Sequence, residues 1–181
     1  MDSKPTRYPE ITVSGSHREM GRQLGEQAGE LVRRFCDLAL ESANRMASVT
    51  PEEAQRVSAK SLEYAKRYAP CLAEEFQGIA ESAEVDVLDL MLAQVRNQFS
   101  DDQQNACTSL SVAPTITTNG SHFVAQTWDA DPALDEVTIV LTRRPTEGPD
   151  YMSVGQAGLI GYMGLNASGI GCCVNTLPAP S

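Results

Sequence analysis

In the stretch NQFSDDQQNACTSLSVAPTITTNGSHFVAQTWDAD, residues 97 to 131, one cysteine stands where an acidic, amide-rich run meets small hydroxyl and apolar residues. A thiol such as Cys107 accepts acyl groups well once it is a thiolate, so some neighbour must take its proton. Three arrangements fit the residue types. In the first, His122 is the base of a Cys-His pair; it follows an Asn-Gly step, which reads as a solvated hairpin end. In the second, the peptide bond between Ala106 and Cys107 is cut, and the freed α-amine, whose pKa lies close to neutrality, serves its own side chain as base. Ala106 is small and SDDQQNA is an accessible type of linker, as such a cut requires. In the third, Cys107 is an inert residue on a first strand. His17 lies near a helix start and reads as a surface or capping residue.

The bulk properties narrow the field. The chain has 181 residues and a formal charge of -10, with Lys and Arg interleaved with Glu, which argues against nucleic acid as a partner. No apolar run is long enough to span a bilayer. The start MDSKPTRYPE lacks the apolar stretch of a signal peptide, so a cytoplasmic setting is expected. Cys36, Cys71, Cys107, Cys172 and Cys173 form no CxxC pair, and with only His17 and His122 to join them no structural zinc site is expected. In a reducing compartment the ordinary reading of each is a buried small hydrophobe.

The elements that must position Cys107 change period along the chain. PEITVSG alternates like a strand. From His17 to about Met46, apolar residues Met20, Leu24, Ala28, Leu31, Phe35 and Leu38 recur at helical spacing, and Ser16 with Glu19 reads as a capping box. Gly21, Gly25 and Gly29 lie four apart, which costs helix stability unless another element packs closely against them. Thr50 and Pro51 open a second helix that runs to Pro70; shorter helices are predicted over about 71–82 and 86–98. Past Cys107, TSLSVAP, HFVAQTWD, EVTIVLTRR, YMSVGQAG, IGYMGLN and GIGCCVNTL are short β-rich runs, with Asn119-Gly120 as a two-residue hairpin signal and NASG as a turn between adjacent strands. Cys172 and Cys173, adjacent in a strand, point to opposite faces and read as packing residues. The fold class is α+β: a helical segment followed by an antiparallel sheet.

GSHREMGRQLGEQAGELV, YAPCLAEEFQGIAESAEV, ACTS, AQTWDAD and GLNASGIGCCVNTL, in that order over nearly the whole chain, resemble the blocks of the acyl-coenzyme A:6-aminopenicillanic-acid acyltransferase family, which belongs to the N-terminal-nucleophile hydrolases. The resemblance implies an αββα sandwich, with 1–106 as a mainly helical pro-segment and 107–181 as the start of the catalytic segment. Cys107 would be the nucleophile for autocleavage after Ala106 and for acyl transfer. Asp129 would orient the new α-amine, and Asn175 would donate to the oxyanion. Gln126, which resembles the acyltransferase branch where related bile-salt hydrolases carry arginine, would bind substrate together with Trp128, which would line the acyl pocket. Many members have glycine where Ala106 stands. Read without the resemblance, Asp129 caps a turn, Asn175 ends a strand and Trp128 belongs to the core.

The implied reaction moves an acyl group from a small-molecule amide or acyl thioester to water or an amine. It needs no metal or prosthetic group, although an acyl-coenzyme A could be co-substrate. Family members continue well past residue 181, so the sequence reads as C-terminally truncated, and self-association or a second chain is expected to complete the sheet. The rival reading is a non-catalytic fragment acting as a folding or interaction module.

Overall fold

The computed structural model describes residues 7–45, 50–99 and 107–175. The alternating stretch forms β1, Glu10–Gly15, with Ile11 and Val13 buried and their neighbours exposed. Helix α1 follows at His17–Arg45. Its start is the capping box the sequence predicts: the Ser16 amide donates to the Glu19 carboxylate at 2.8 Å, and the Glu19 amide returns to Ser16 Oγ at 3.4 Å. The predicted single helix is kinked at Ala28 (φ -131°, ψ 24°), so α1 is two helical segments. Beyond Ala28 the expected Phe35 and Leu38 are buried, while Val32, at 0% exposure, is fully enclosed and Leu31 only partly so.

Helix α2 spans Pro51–Tyr68, with Thr50 Oγ1 accepting the Glu53 amide at 3.2 Å. Helix α3 is Pro70–Ala83 and ends on Glu84 in the left-handed conformation. Helix α4 is Val87–Val95, capped by Asp86, whose carboxylate accepts the Leu88 amide at 2.7 Å, and a single 3₁₀ turn continues it over Arg96–Phe99. The α1 glycines have the packing role their spacing suggests. A Cβ on Gly21 would run into the Glu75 carbonyl oxygen, one on Gly25 would lie 2.8 Å from the Ile79 carbonyl oxygen, and one on Gly78 of α3 would strike the Arg18 carbonyl. Backbones of α1 and α3 therefore touch along this line. Arg18 and Arg22 reach from α1 to Glu74 and Glu81 on α3 along its rim.

The strands are β2, Thr108–Val112; β3, Phe123–Thr127; β4, Thr138–Pro145; β5, Tyr151–Gln156; β6, Met163–Asn166; and β7, Gly171–Cys172. They make two sheets: five strands in the order β1-β4-β5-β6-β7, and a separate antiparallel ribbon, β2-β3. β1 pairs with β4 in parallel, from Glu10 opposite Val140 to Gly15 opposite Pro145, while the other pairs are antiparallel. A parallel edge is possible because the four helices supply a long crossover between the two strands. The NASG turn joins β6 to β7 as expected. The Asn119-Gly120 turn forms, with Gly120 at φ 68° and the Ser121 amide on Asn119 Oδ1 at 3.1 Å, but it is no two-residue hairpin loop. Pairing stops at Val112 and Phe123, because Pro114 opens a short 3₁₀ turn that has no place in a ladder.

One face of the large sheet is covered by helices: Ile11, Val13, Ile139 and Leu141 pack with Met20, Leu24, Phe76, Ile79 and Leu90 in one buried cluster. Inside that interface Arg143 of β4, at 0% exposure, donates Nε to Glu75 Oε1 of α3 at 2.7 Å, and Nη1 to Ser153 Oγ at 3.0 Å. Removing one partner of such a buried pair leaves an uncompensated charge and costs about 3–5 kcal/mol. His17 is not a free surface residue: its Nδ1 lies 3.3 Å from the other Glu75 oxygen.

Candidate active site

Cys107 is the residue immediately before β2, and it is half-buried. The ribbon register pairs Thr108 with Thr127, and the Thr108 amide also reaches Thr127 Oγ1 at 3.2 Å. Carried one step further, that register sets Cys107 across from Trp128, with Asp129 next along. Asp129 is exposed, and no hydrogen bond joins its carboxylate to another described residue. Ala106, the expected other side of the scissile bond, lies outside the described residues.

Asn175 comes to Cys107 from far along the chain: its Nδ2 donates to the Cys107 carbonyl oxygen at 2.8 Å. Gln126, in the middle of the site block, positions it. The Gln126 side chain accepts the Val174 amide at 2.8 Å and donates to the Val174 carbonyl at 2.6 Å, mimicking one rung of a strand pair. This amide, expected to meet substrate, is thus occupied in holding the residue next to Asn175. Cys173 joins the same seam, with Sγ 3.6 Å from the Ala125 carbonyl oxygen. Its neighbour Cys172 is exposed, contrary to the packing role read from sequence, because β7 is a two-residue edge strand paired only with β6.

His122 is exposed and sits at the opposite end of the ribbon. The five residues of strand that separate it from Cys107 correspond to about 17 Å. A Cys107-His122 pair is therefore not formed, and the histidine reading is corrected. Among the described residues no three His, Cys, Asp or Glu side chains converge as a metal site.

Trp128 is half-buried and its ring meets Tyr162 with centroids 5.3 Å apart, tilted by 53°. Burial pushes the Tyr162 hydroxyl above its ordinary pKa; the Arg96 guanidinium pulls it back, and Cys107 nearby pushes it further up. Arg96 itself lies over the Phe35 ring at 5.0 Å and donates to the Ala93 carbonyl at 2.9 Å and to Gln156 Oε1 at 3.2 Å. Burial lowers its pKa. Sequence reasoning missed Arg96, Gln156 and Tyr162. One signal existed for Arg96: it follows buried Leu92 by four residues and buried Ala93 by three, which sets it on the inward face. Gln156 and Tyr162 carry no comparable local signal.

No protein-family model matches the chain. A curated protein does: acyl-coenzyme A:6-aminopenicillanic-acid-acyltransferase, 40 kDa form, of Emericella nidulans, is 26% identical over 167 residues, which cover 92% of this chain. The chain spans 46% of the length of that relative. The order of the sequence blocks and the extent of this match agree, and the chain is a distant, family-level relative of an acyl-coenzyme A:6-aminopenicillanic-acid acyltransferase.

Proposed function

We propose that this chain carries the nucleophile of an acyltransferase or amide hydrolase, made as a proenzyme and opened between Ala106 and Cys107. The observation that carries the reading is the 2.8 Å bond from Asn175 Nδ2 to the Cys107 carbonyl, made across 68 positions of sequence and held by Gln126. The relative's acyltransferase name supports the same class of chemistry.

In this reading the Cys107 thiol attacks the Ala106 carbonyl carbon, the C–N bond breaks as the new amine takes a proton, and water hydrolyses the resulting thioester. The freed α-amine of Cys107 then accepts the thiol proton, with Asp129 orienting it. The thiolate adds to the carbonyl carbon of an amide or thioester donor, and the oxyanion is stabilised by the Asn175 side-chain amide, a contact worth a few kcal/mol in comparable sites, about 3–4. Collapse expels the donor's amine or thiol, which leaves with the proton held by the α-ammonium. Water or an acceptor amine, deprotonated by the same α-amine, attacks acyl-Cys107 and restores the thiol. Trp128 would wall the acyl pocket. The five cysteines, all free, fit a reducing, cytoplasmic setting.

Intact-protein mass spectrometry tests this. The expected result is two pieces that divide between Ala106 and Cys107, with cleavage abolished in Cys107→Ala and the wild-type thiol acylated by an amide- or thioester-based probe. The second reading, a folding or interaction module, is favoured by one observation: Leu110, Phe123, Leu165 and Ile170 on the strands and turns around the site are 50–66% exposed, as if another polypeptide covers them. An uncleaved chain whose Cys107 resists acylation would establish that alternative.

A further inference from the structure

Beside the Cys107 site the fold leaves a groove of about 360 Å³, lined by Trp128, Asp131, Leu134, Asp135, Thr138 and Gln156, with Arg7 and Tyr8 at its rim. Most polar groups on its walls are engaged. Asp135 accepts from Arg7 at 2.9 Å and from Tyr8 at 2.7 Å, the Asp131 carboxylate caps Ala133, and Thr138 Oγ1 donates to the Leu134 carbonyl. Gln156 is different. It ends β5 opposite Thr138 and is only 2% exposed, yet its Nε2 meets no hydrogen-bond partner. A buried amide donor without a partner costs about 1–3 kcal/mol.

The orientation of this amide is set by its neighbour. A guanidinium can only donate, so the Gln156 atom facing Arg96 Nη2 must be the oxygen, and the NH₂ group is the one left unmatched. Arg96, in turn, contacts a ring, a carbonyl and an amide but no carboxylate among the described residues. A half-buried cation with no carboxylate partner among the described residues, and an orphan amide donor on the side chain it holds, both call for the same complement, an oxygen acceptor.

We propose that Gln156 is a specificity-determining donor: Nε2 takes a carbonyl or carboxylate oxygen of the molecule lodged in this groove, with Arg96 fixing the amide and making a carboxylate the preferred group. Trp128 gives the apolar part of that molecule a flat wall. This rests on the reading of Cys107 as the acyl carrier, because the groove shares Trp128 with that site, and it narrows the substrate class to molecules bearing an acceptor oxygen away from the scissile bond.

The chain contains one tryptophan, so fluorescence of Trp128 reports occupancy of the groove directly. The test uses Cys107→Ala, which cannot be acylated, titrated with 4-phenylbutyrate, 4-phenylbutyramide and 4-phenylbutylamine. Saturable changes are expected for the first two, with the carboxylate at least about tenfold tighter than the amine. Gln156→Glu replaces the donor with an acceptor and gives Arg96 a partner, so the protein should melt no earlier; it should lose at least about tenfold in carboxylate affinity and favour the amine. Equal binding of amine and carboxylate, an unchanged order in Gln156→Glu, or no response of Trp128 to any probe would overturn the proposal. Binding in the expected order by Cys107→Ala, alongside a wild-type chain that neither cleaves before Cys107 nor is acylated on it, would sink the acyl-enzyme reading and leave this one standing. An acyl-transferring chain indifferent to the Gln156 change would do the reverse.

Discussion

Five thiols of one chain differ sharply in what they can do. Burial, followed by the nearby Asp89 and Asp37 carboxylates, pushes the Cys36 thiol up to about 12, and the side chain sits in the core between α1 and α4. The thiolate is the reactive form, so Cys36 should be inert at neutral pH, whereas Cys71 and Cys172 are exposed. Brief maleimide treatment at neutral pH, followed by peptide mass mapping, should modify Cys71 and Cys172 and leave Cys36 untouched until denaturant is added; equal labelling of Cys36 would contradict its placement. Thiol probes of Cys107 therefore belong in a Cys71→Ser, Cys172→Ser background. At this scale the order of the sequence blocks singled out Cys107, Gln126 and Asn175 as candidates, and the structure brings these three into one seam without deciding their roles. The sequence was unreadable where a role depends on an unmet hydrogen bond, as at Gln156. It also misled at Cys172, because whether a strand face is covered is decided by which strands lie beside it.

Helix periods carried most of the element-level information. The stripe from Met20 to Leu38 apart from Leu31, the caps at Ser16 and Thr50, and the glycine spacing correspond to observed features. The glycines make a test within a single helix. Gly21→Ala puts a methyl group against the Glu75 carbonyl, and about 1–3 kcal/mol of overpacking should outweigh the gain in helix propensity of about 1 kcal/mol. At Gly29 the nearest atom to a new Cβ is the mobile end of Arg33 at 3.3 Å, so Gly29→Ala should be neutral or mildly stabilising. Urea denaturation of both variants checks the contrast, and equal costs would show that α1 and α3 do not touch as described. The strand partners were not legible. Alternation marks PEITVSG as a strand, but nothing local says that it lies parallel to residues 138–145, and the kink at Ala28 falls beside Gly29 with no proline to announce it.

At the scale of the whole molecule, the sequence suggests a boundary at Cys107 that the packing does not respect. β1 comes from the first segment and its partner β4 from the second, the main core mixes Ile11, Met20 and Leu24 with Ile139, Leu141 and Ile160, and the buried Glu75–Arg143 pair joins the same two segments. The division into 1–106 and 107–181 is thus a proposal about chain chemistry, since the two parts share one interior. The parallel edge pairing of β1 with β4 has a thermodynamic consequence if the bond before Cys107 opens. Contacts that were intramolecular become those of a heterodimer, and folding becomes inseparable from association. Thermal midpoints of the opened protein should then rise with protein concentration, while those of uncut Cys107→Ala stay constant. Cleavage would leave the architecture in place yet make its persistence depend, for the first time, on how much of the protein is present.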